Sequence, residues 1–180
     1  MRKHLVERAR NGDREAFGLL AAGEIDRLHA IATLILRDPD LAQDAAQEAL
    51  VRCWRKLPTL REVEQFEAWL NRILMRTVSN ELGRRKRFHA SVQPLRAEPA
   101  VGDSARLLAD RDVLEKGFGH LSVAHRSIVV LHHFVGLPLP EAAATLGIRA
   151  GTAKSRYHYA MSALRAAVEA EGRLADEALG

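Results

Sequence analysis

The feature that most constrains the fold is a run of mostly apolar residues on one predicted helix face. The run alternates spacings of three and one, and it comprises Phe66, Trp69, Leu70, Ile73, Leu74, Thr77 and Val78. This spacing places all of its members on a single side of a long α-helix. The helix is predicted to continue into a strongly basic segment, Arg84-Arg85-Lys86-Arg87.

The composition favours helices elsewhere in the chain as well. Aromatic residues make up only 5% of the sequence, whereas Ala, Leu and Arg are abundant, which favours helix over sheet. Asp13 and Asp38 are good N-caps, and Pro39 suits the first position of a helix. Pro58 is predicted to end the helix that Asp38 begins. We therefore expect an all-α fold.

The stretch 89–104 differs from its surroundings. It contains Pro94, Pro99 and Gly102 and has little periodic pattern, which is typical of an interdomain linker. The sequence thus predicts two small helical domains, 1–88 and 105–171, joined by this flexible linker. The tail, 172–180, is expected to be frayed.

The second domain contains the pattern of a helix-turn-helix between Leu121 and Leu164. Gly136 is predicted to end its first helix, and the second begins near Pro140. Gly147 provides the turn into the third helix. Small alanines in the second helix would let the third cross it closely, as this motif requires.

The third helix of the motif is predicted to present a polar, cationic face. Its outward residues are Arg149, Thr152, Lys154, Ser155, Arg156 and His158. No acidic residue lies between Arg149 and Arg165, so this face could enter a major groove and reach phosphates and base edges. A solvated basic helix in an ordinary bundle is the alternative interpretation.

The same segment is similar to the C-terminal domain of the extracytoplasmic-function sigma factors of bacterial RNA polymerase, which belong to the sigma-70 family. The resemblance is carried by Leu121, Arg126, Gly136-Leu137, Glu141, Ala143, Leu146-Gly147-Ile148, Gly151-Thr152, Lys154-Ser155-Arg156, Ala160 and Leu164. It implies that this domain reads the upstream promoter element in double-stranded DNA. Other helix-turn-helix regulators share part of this pattern, so a stand-alone regulator that binds an operator without polymerase is the alternative function.

The first domain resembles the same family in "DPDLAQDAAQEALVRCWRKL". The resemblance implies a helix that docks on the clamp coiled coil of core RNA polymerase. The polar face that would make this contact comprises Gln43, Asp44, Gln47, Glu48 and Arg52. Carboxylates facing arginines would give charge-assisted, directional contacts. Ala45 and Ala46 replace the larger aliphatic residues that are usual in the family.

The segment "FEAWLNRILMRTVSNELGRRKR" resembles the family's helix that reads and melts the downstream promoter element. Trp69 matches a core position, and the resemblance places toward DNA the residues Arg72, Arg76, Asn80, Arg84, Arg85 and Arg87. The loop Thr59–Gln65 lies where the family captures a flipped base of the melted non-template strand. Thr77, Glu81 and Pro138 depart from the residues usual in the family.

The sequence contains no motif that indicates another activity. Eight histidines are present, but there is no zinc-ligand spacing and no cysteine pair. We expect no metal, no cofactor and no enzymatic activity; a hydrolase using the histidines is a distant alternative. Cys53 is predicted to be a small buried residue, with a redox sensor as the weaker reading. No apolar run is long enough to span a bilayer, and we expect a cytoplasmic protein. The resemblance to the sigma family further implies regulation by an anti-sigma protein.

Overall fold

A computed structural model describes residues 2–91 and 115–178, with side chains over 2–84 and 115–170. Every regular element in these ranges is helical, which confirms the all-α prediction. The helices are α1 (Arg2–Arg10), α2 (Arg14–Leu36), α3 (Pro39–Lys56), α4 (Phe66–Ser91), α5 (described over 115–120), α6 (Val123–Val129), α7 (Leu139–Leu146) and α8 (Ala150–Ala178).

Two of the predicted helix starts are confirmed by capping hydrogen bonds. The side chain of Asp13 accepts from the N–H of Ala16 at 3.0 Å, and that of Asp38 accepts from Leu41 at 3.1 Å. Pro39 occupies the start of α3, where its missing N–H leaves no helical bond unmade. These caps fix where α2 and α3 begin, and hence which of their faces turns inward.

The first domain is built on α2, which packs against α1, α3 and α4. Its core is formed by residues that become fully or almost fully buried, namely Leu20, Leu28, Ile31, Ile35, Ala42, Ala45, Ala46, Ala49, Cys53, Leu57, Leu70, Leu74 and Val78. The alanines of α3 allow it to lie close to α2. Cys53 is buried as predicted, and burial raises the pKa of its thiol to about 12, so the unreactive protonated form prevails at neutral pH.

The second domain is the predicted helix-turn-helix, formed by α6, α7 and α8. Gly136 and Gly147 adopt positive φ values of 81° and 67° at the two turns, a conformation that costs glycine little. Ala143 and Ala153 are buried between the helices. The close crossing expected from small residues is therefore present. A π-helical turn, Val130–Phe134, extends α6 and has no counterpart in the sequence prediction.

Several boundaries differ from the sequence prediction. The segment Thr59–Gln65 is more ordered than a simple loop, because 3-10 turns form at Leu57–Thr59 and Val63–Gln65. α4 continues to Ser91, which is three residues into the stretch assigned to the linker; the rest of that linker lies outside the described residues. α8 continues to Ala178, over most of the stretch from Gly172 for which a frayed tail was predicted. Strong helix formers around Gly172 offset its cost of about 1 kcal/mol.

The two domains pack against each other. α4 contacts α7, and α2 contacts α6, so the buried residues of both domains form a continuous cluster. The deepest polar link between them is Arg126 of α6, whose side chain reaches the backbone of α2. The sequence predicted two domains but did not predict this contact.

Candidate functional site

The predicted docking face lies on α3, opposite the buried alanines. Gln43, Asp44 and Gln47 are exposed. Glu48 and Arg52 are half-buried and form an ion pair, with 2.7 Å between Nε of Arg52 and Oε1 of Glu48. The chain itself thus supplies a cation for Glu48, and Asp44 is the exposed carboxylate of this strip.

The predicted downstream-element residues form a row along α4. Arg72, Arg76, Asn80 and Arg84 follow one another at intervals of four residues and are all exposed, which puts them on one side of the helix. Arg84 pairs with Glu81 at 2.9 Å. The side chains of the remaining two predicted residues, Arg85 and Arg87, lie outside the described part of the chain.

The predicted base-capture segment is held in place by α1. Nη1 of Arg10 donates to the carbonyls of Leu60 and Arg61, each at 3.3 Å. Nζ of Lys3 lies 3.0 Å from Oε1 of Glu64. Hydrogen bonds from its own backbone N–H and from Lys3 lower the pKa of the Glu64 carboxyl. The sequence reasoning gave α1 no function; its four basic residues were the signal that could have indicated one.

A buried polar network fastens α4 to α2 behind this segment. Glu24 and Asn71 are 5% and 2% exposed, and Arg27 bonds both, through Nε to Glu24 at 2.9 Å and through Nη1 to Asn71 at 3.0 Å. Arg2 of α1 also contacts Glu24. Because a buried carboxylate is costly without partners, this network makes the placement of α4 depend on all three helices. Trp69 is half-buried beside Phe66, consistent with packing.

The predicted upstream-element residues lie at the start of α8 and just before it. Arg149, Lys154, Ser155 and His158 are exposed, whereas Thr152 and Arg156 are half-buried. Ala153 and Ala160 turn the opposite side of the helix into the core. The four exposed residues form a cationic surface, whereas Thr152 and Arg156, which were predicted to point outward, are partly covered.

Three histidines of the second domain contact other side chains or the backbone. His132 bonds the carbonyl of Leu137 through Nδ1 at 2.7 Å, and Nε2 of His133 lies 3.1 Å from the Tyr157 hydroxyl. His125 stacks on Tyr159, and burial followed by the charge of Arg156 lowers the pKa of its imidazole. Among the side chains of 2–84 and 115–170, no three from His, Cys, Asp or Glu form a group that could hold a metal ion.

Two of the predicted DNA-contact groups are brought together between the domains. Arg72, Arg76 and Asn80 of α4 line a cleft whose other wall is the C-terminal end of α7. Arg156 of α8 lines a neighbouring cleft against Met75, Val78, Ser79 and Leu82 of α4. The sequence predicted both groups, but not that they would face a common interface.

Comparison with known proteins decides the family. Residues 21–88 match the family model of sigma-70 region 2, and residues 117–166 match that of sigma-70, region 4. The RNA polymerase sigma-E factor of Streptomyces avermitilis is 34% identical over 144 residues, with 80% of each chain covered. The chain belongs to the extracytoplasmic-function sigma factors of the sigma-70 family. As such it directs RNA polymerase to promoters and is not an enzyme.

Other relatives extend the similarity over nearly the whole sigma factor. The RNA polymerase sigma-H factor of Pseudomonas aeruginosa is 31% identical, and the match covers 93% of each chain. The solved structure of CnrH in complex with the cytosolic domain of CnrY matches with a TM-score of 0.62 and 25% identity, covering 94% of this chain and 97% of the matched chain. The Bartonella quintana sigma factor RpoE, solved with the anti-sigma factor NepR, matches with a TM-score of 0.65 and 26% identity, covering 84% and 93%.

The search for membrane-spanning segments gave a negative result for the part of the sigma factor that the structure describes. None of its helices combines the length and the apolar character needed to cross a bilayer.

Proposed function

We propose that the sigma factor uses three surfaces, each for a different step of promoter recognition. The exposed strip of α3 docks on the clamp coiled coil of core polymerase, and domain 1–88 opens the downstream element. Domain 105–171 reads the upstream element in duplex DNA. The proposal rests on the two faces of each helix. The predicted contact residues of α3, α4 and α8 whose side chains are described are exposed or half-buried, and the opposite faces form the core.

The docking assignment is carried by the chemistry of α3. Asp44 is exposed between two exposed glutamines, Gln43 and Gln47. An exposed carboxylate flanked by amide groups suits a partner that presents arginines. The pairing of Glu48 with Arg52 keeps one more carboxylate oriented at the edge of the same strip.

The melting assignment combines the basic row of α4 with the braced segment Thr59–Gln65. Arg72 and Arg76 would follow the phosphates of the non-template strand, and Asn80 could bond a base edge. A flipped base needs a pocket with a fixed backbone around it. The bonds from Arg10 to the carbonyls of Leu60 and Arg61 provide that rigidity.

The upstream assignment places Ser155 and His158 in the major groove, with Arg149 and Lys154 on phosphate. Exposed cations supply affinity through phosphates, and the polar side chains between them can reach base edges. We further infer that the sigma factor works in the cytoplasm and is held inactive by an anti-sigma protein. The complexes solved for CnrH with CnrY and for RpoE with NepR support a partner of that class.

A charge-reversal experiment tests the docking surface. Asp44→Arg together with Glu48→Arg should weaken binding to core polymerase by about 100-fold or more, because attraction at a close charge pair becomes repulsion. The matched control is Glu7→Arg with Asp26→Arg, which makes the same change in net charge at exposed positions of α1 and α2. Affinity is measured by pull-down and by fluorescence titration. Retained binding in the α3 variant, with an intact circular dichroism spectrum, would refute the assignment.

A further inference from the structure

The helix α4 contains a glycine that its backbone conformation does not require. Gly83 lies inside α4, where glycine in place of alanine weakens the folding equilibrium by roughly fivefold. Among the described residues, the glycines with positive φ are Gly12, Gly136 and Gly147. Gly83 is not one of them, so an L residue could adopt its conformation without strain.

Packing inside the protein does not require this glycine either. A Cβ added at Gly83 would have no atom of the described residues within 4 Å. At Gly117, by contrast, an added Cβ would lie 3.0 Å from Cβ of Ala167, and at Gly119 it would lie 3.3 Å from Cζ of Arg37. The fold therefore uses the missing side chain at Gly117 and Gly119, whereas the space beside Gly83 stays open.

Gly83 lies on the side of α4 that presents the proposed DNA contacts. It follows Asn80 by three residues and Arg76 by seven, and residues at these spacings share one side of a helix. Both Arg76 and Asn80 are exposed. The open space beside Gly83 is thus next to the basic row of α4.

The line of residues that ends at Gly83 projects little from the helix. Met75, Ser79 and Gly83 follow one another at intervals of four and form a line beside the basic row. Met75 is only 4% exposed. Oγ of Ser79 donates to the carbonyl of Met75 at 2.9 Å, so this hydroxyl is turned back onto its own helix. The long exposed side chains of Arg76 and Arg84 stand next to this low line.

A low strip bordered by cations suits an extended phosphodiester backbone. Proteins that hold single-stranded nucleic acid use such positively charged grooves to follow the phosphates. Glycine is the usual residue where a ligand must come close to a protein backbone. A side chain at position 83 would lift the strand away from the guanidinium groups beside it.

We propose that the melted promoter strand passes closest to α4 at Gly83. Its sugar–phosphate backbone packs on the bare helix surface at Ser79 and Gly83, while Arg76 and Arg84 bind its phosphates. This inference rests on the proposed function of α4 in opening DNA, and it adds to that function a residue and a mode of contact.

Two substitutions test the contact, Gly83→Ala and Gly83→Leu. Alanine and leucine are both good helix formers, so each variant should shift the unfolding equilibrium by roughly fivefold toward the native state in urea titrations. Promoter opening should nevertheless decrease with the size of the side chain. We expect a loss of roughly threefold for alanine and of roughly tenfold or more for leucine, since tenfold corresponds to one lost hydrogen bond to a charged group.

Opening is measured with holoenzyme assembled from the full chain and core polymerase. The probe is a linear fragment carrying a promoter that the parent protein transcribes, and the readout is the permanganate reactivity of its unpaired thymines. Affinity for core should stay unchanged. The matched controls are Gly23→Ala and Gly23→Leu, because Gly23 is an exposed glycine inside α2 with no atom of the described residues within 4 Å of an added Cβ. They should raise stability similarly without changing promoter opening.

The outcomes separate a close contact from other roles of Gly83. Opening by Gly83→Leu at the parent level would overturn the proposal. Equal losses for Gly83→Ala and Gly83→Leu would also overturn it, because they would mean that the helix needs the freedom of a glycine backbone and not the open space. Failure of the proposed function is distinguishable, since the parent holoenzyme itself would then open no promoter, and the contact at Gly83 would fall with it.

Discussion

Single side chains at the proposed surfaces differ in how much of their charge is available to a partner. Glu48 is paired with Arg52 and Arg84 is paired with Glu81, so binding through either must compete with an existing ion pair. Asp44 and Lys154 are exposed. We therefore expect Asp44 and Lys154 to dominate the electrostatic part of docking and of DNA binding.

Lys154→Ala tests the phosphate role at this scale. Loss of one phosphate contact should reduce the slope of log affinity against log salt concentration by about 0.9. The measurement is a titration of promoter DNA with the polymerase complex at several salt concentrations. Arg165→Ala, further along the same helix, is the control and should leave the slope unchanged. An unaltered slope for Lys154→Ala would mean that this side chain is not on phosphate.

Cys53 illustrates how burial alone decides the chemistry of a residue. It lies in the core of the first domain with no exposed surface, and desolvation, reinforced by the charge of Glu24, raises its thiol pKa to about 12. A redox sensor needs an accessible thiolate. The interpretation of Cys53 as a small buried residue therefore agrees with the structure better than the redox reading does.

Among the elements, α1 has a function that the sequence did not predict. It contributes Arg10 to the carbonyls of Leu60 and Arg61 and Lys3 to Glu64. It therefore braces the segment proposed to hold a flipped base. Its effect on DNA opening would be indirect, because its side chains would act by keeping the backbone of Thr59–Gln65 ordered.

Arg10→Ala tests this brace. Removing the two hydrogen bonds should increase hydrogen exchange at the amides of Leu60 and Gln65, which donate to the carbonyls of Leu57 and Glu62, by roughly tenfold, which corresponds to about 1.4 kcal/mol of local stability. Exchange is measured by mass spectrometry on the free protein. The control is Arg14→Ala, an exposed arginine in the first turn of α2. Equal protection in Arg10→Ala and the parent would contradict a bracing role for α1.

At the level of elements, a feature could be predicted from the sequence when the residues that interact lie close together along the chain. The starts of α2 and α3 depend on Asp13 and Asp38, whose bonds reach three residues along the chain, so the sequence displays them directly. The bond from Arg126 to Ile35 joins residues 91 apart. No local pattern encodes it, because it exists only once both domains are folded and packed.

The same reasoning separates the predicted from the unpredicted parts of the candidate site. The polar strip of α3 follows from helical periodicity, and the basic row of α4 was expected from the resemblance to the sigma family. The cleft between α4 and α7 depends on how the two domains are placed relative to each other. The apolar periodicity of each domain accounts for its own core and does not encode this placement. The brace from α1 was missed for the same reason, since Arg10 and Leu60 lie 50 residues apart.

At the scale of the whole molecule, the sigma factor has two recognition domains that share one continuous buried cluster. Promoter engagement as proposed requires the basic face of α4 and the start of α8 to be accessible together. In the packed arrangement, the described residues of the α4 row and the predicted residues at the start of α8 remain exposed or half-buried.

The most direct test of the central claim is run-off transcription with bacterial core RNA polymerase on a pool of genomic fragments, after co-purification of the sigma factor with core. We predict specific transcripts that appear only when the sigma factor is added, and their start sites would define its promoter sequence. No association with core, together with tight binding of the free protein to a duplex site, would contradict the account and favour a stand-alone regulator.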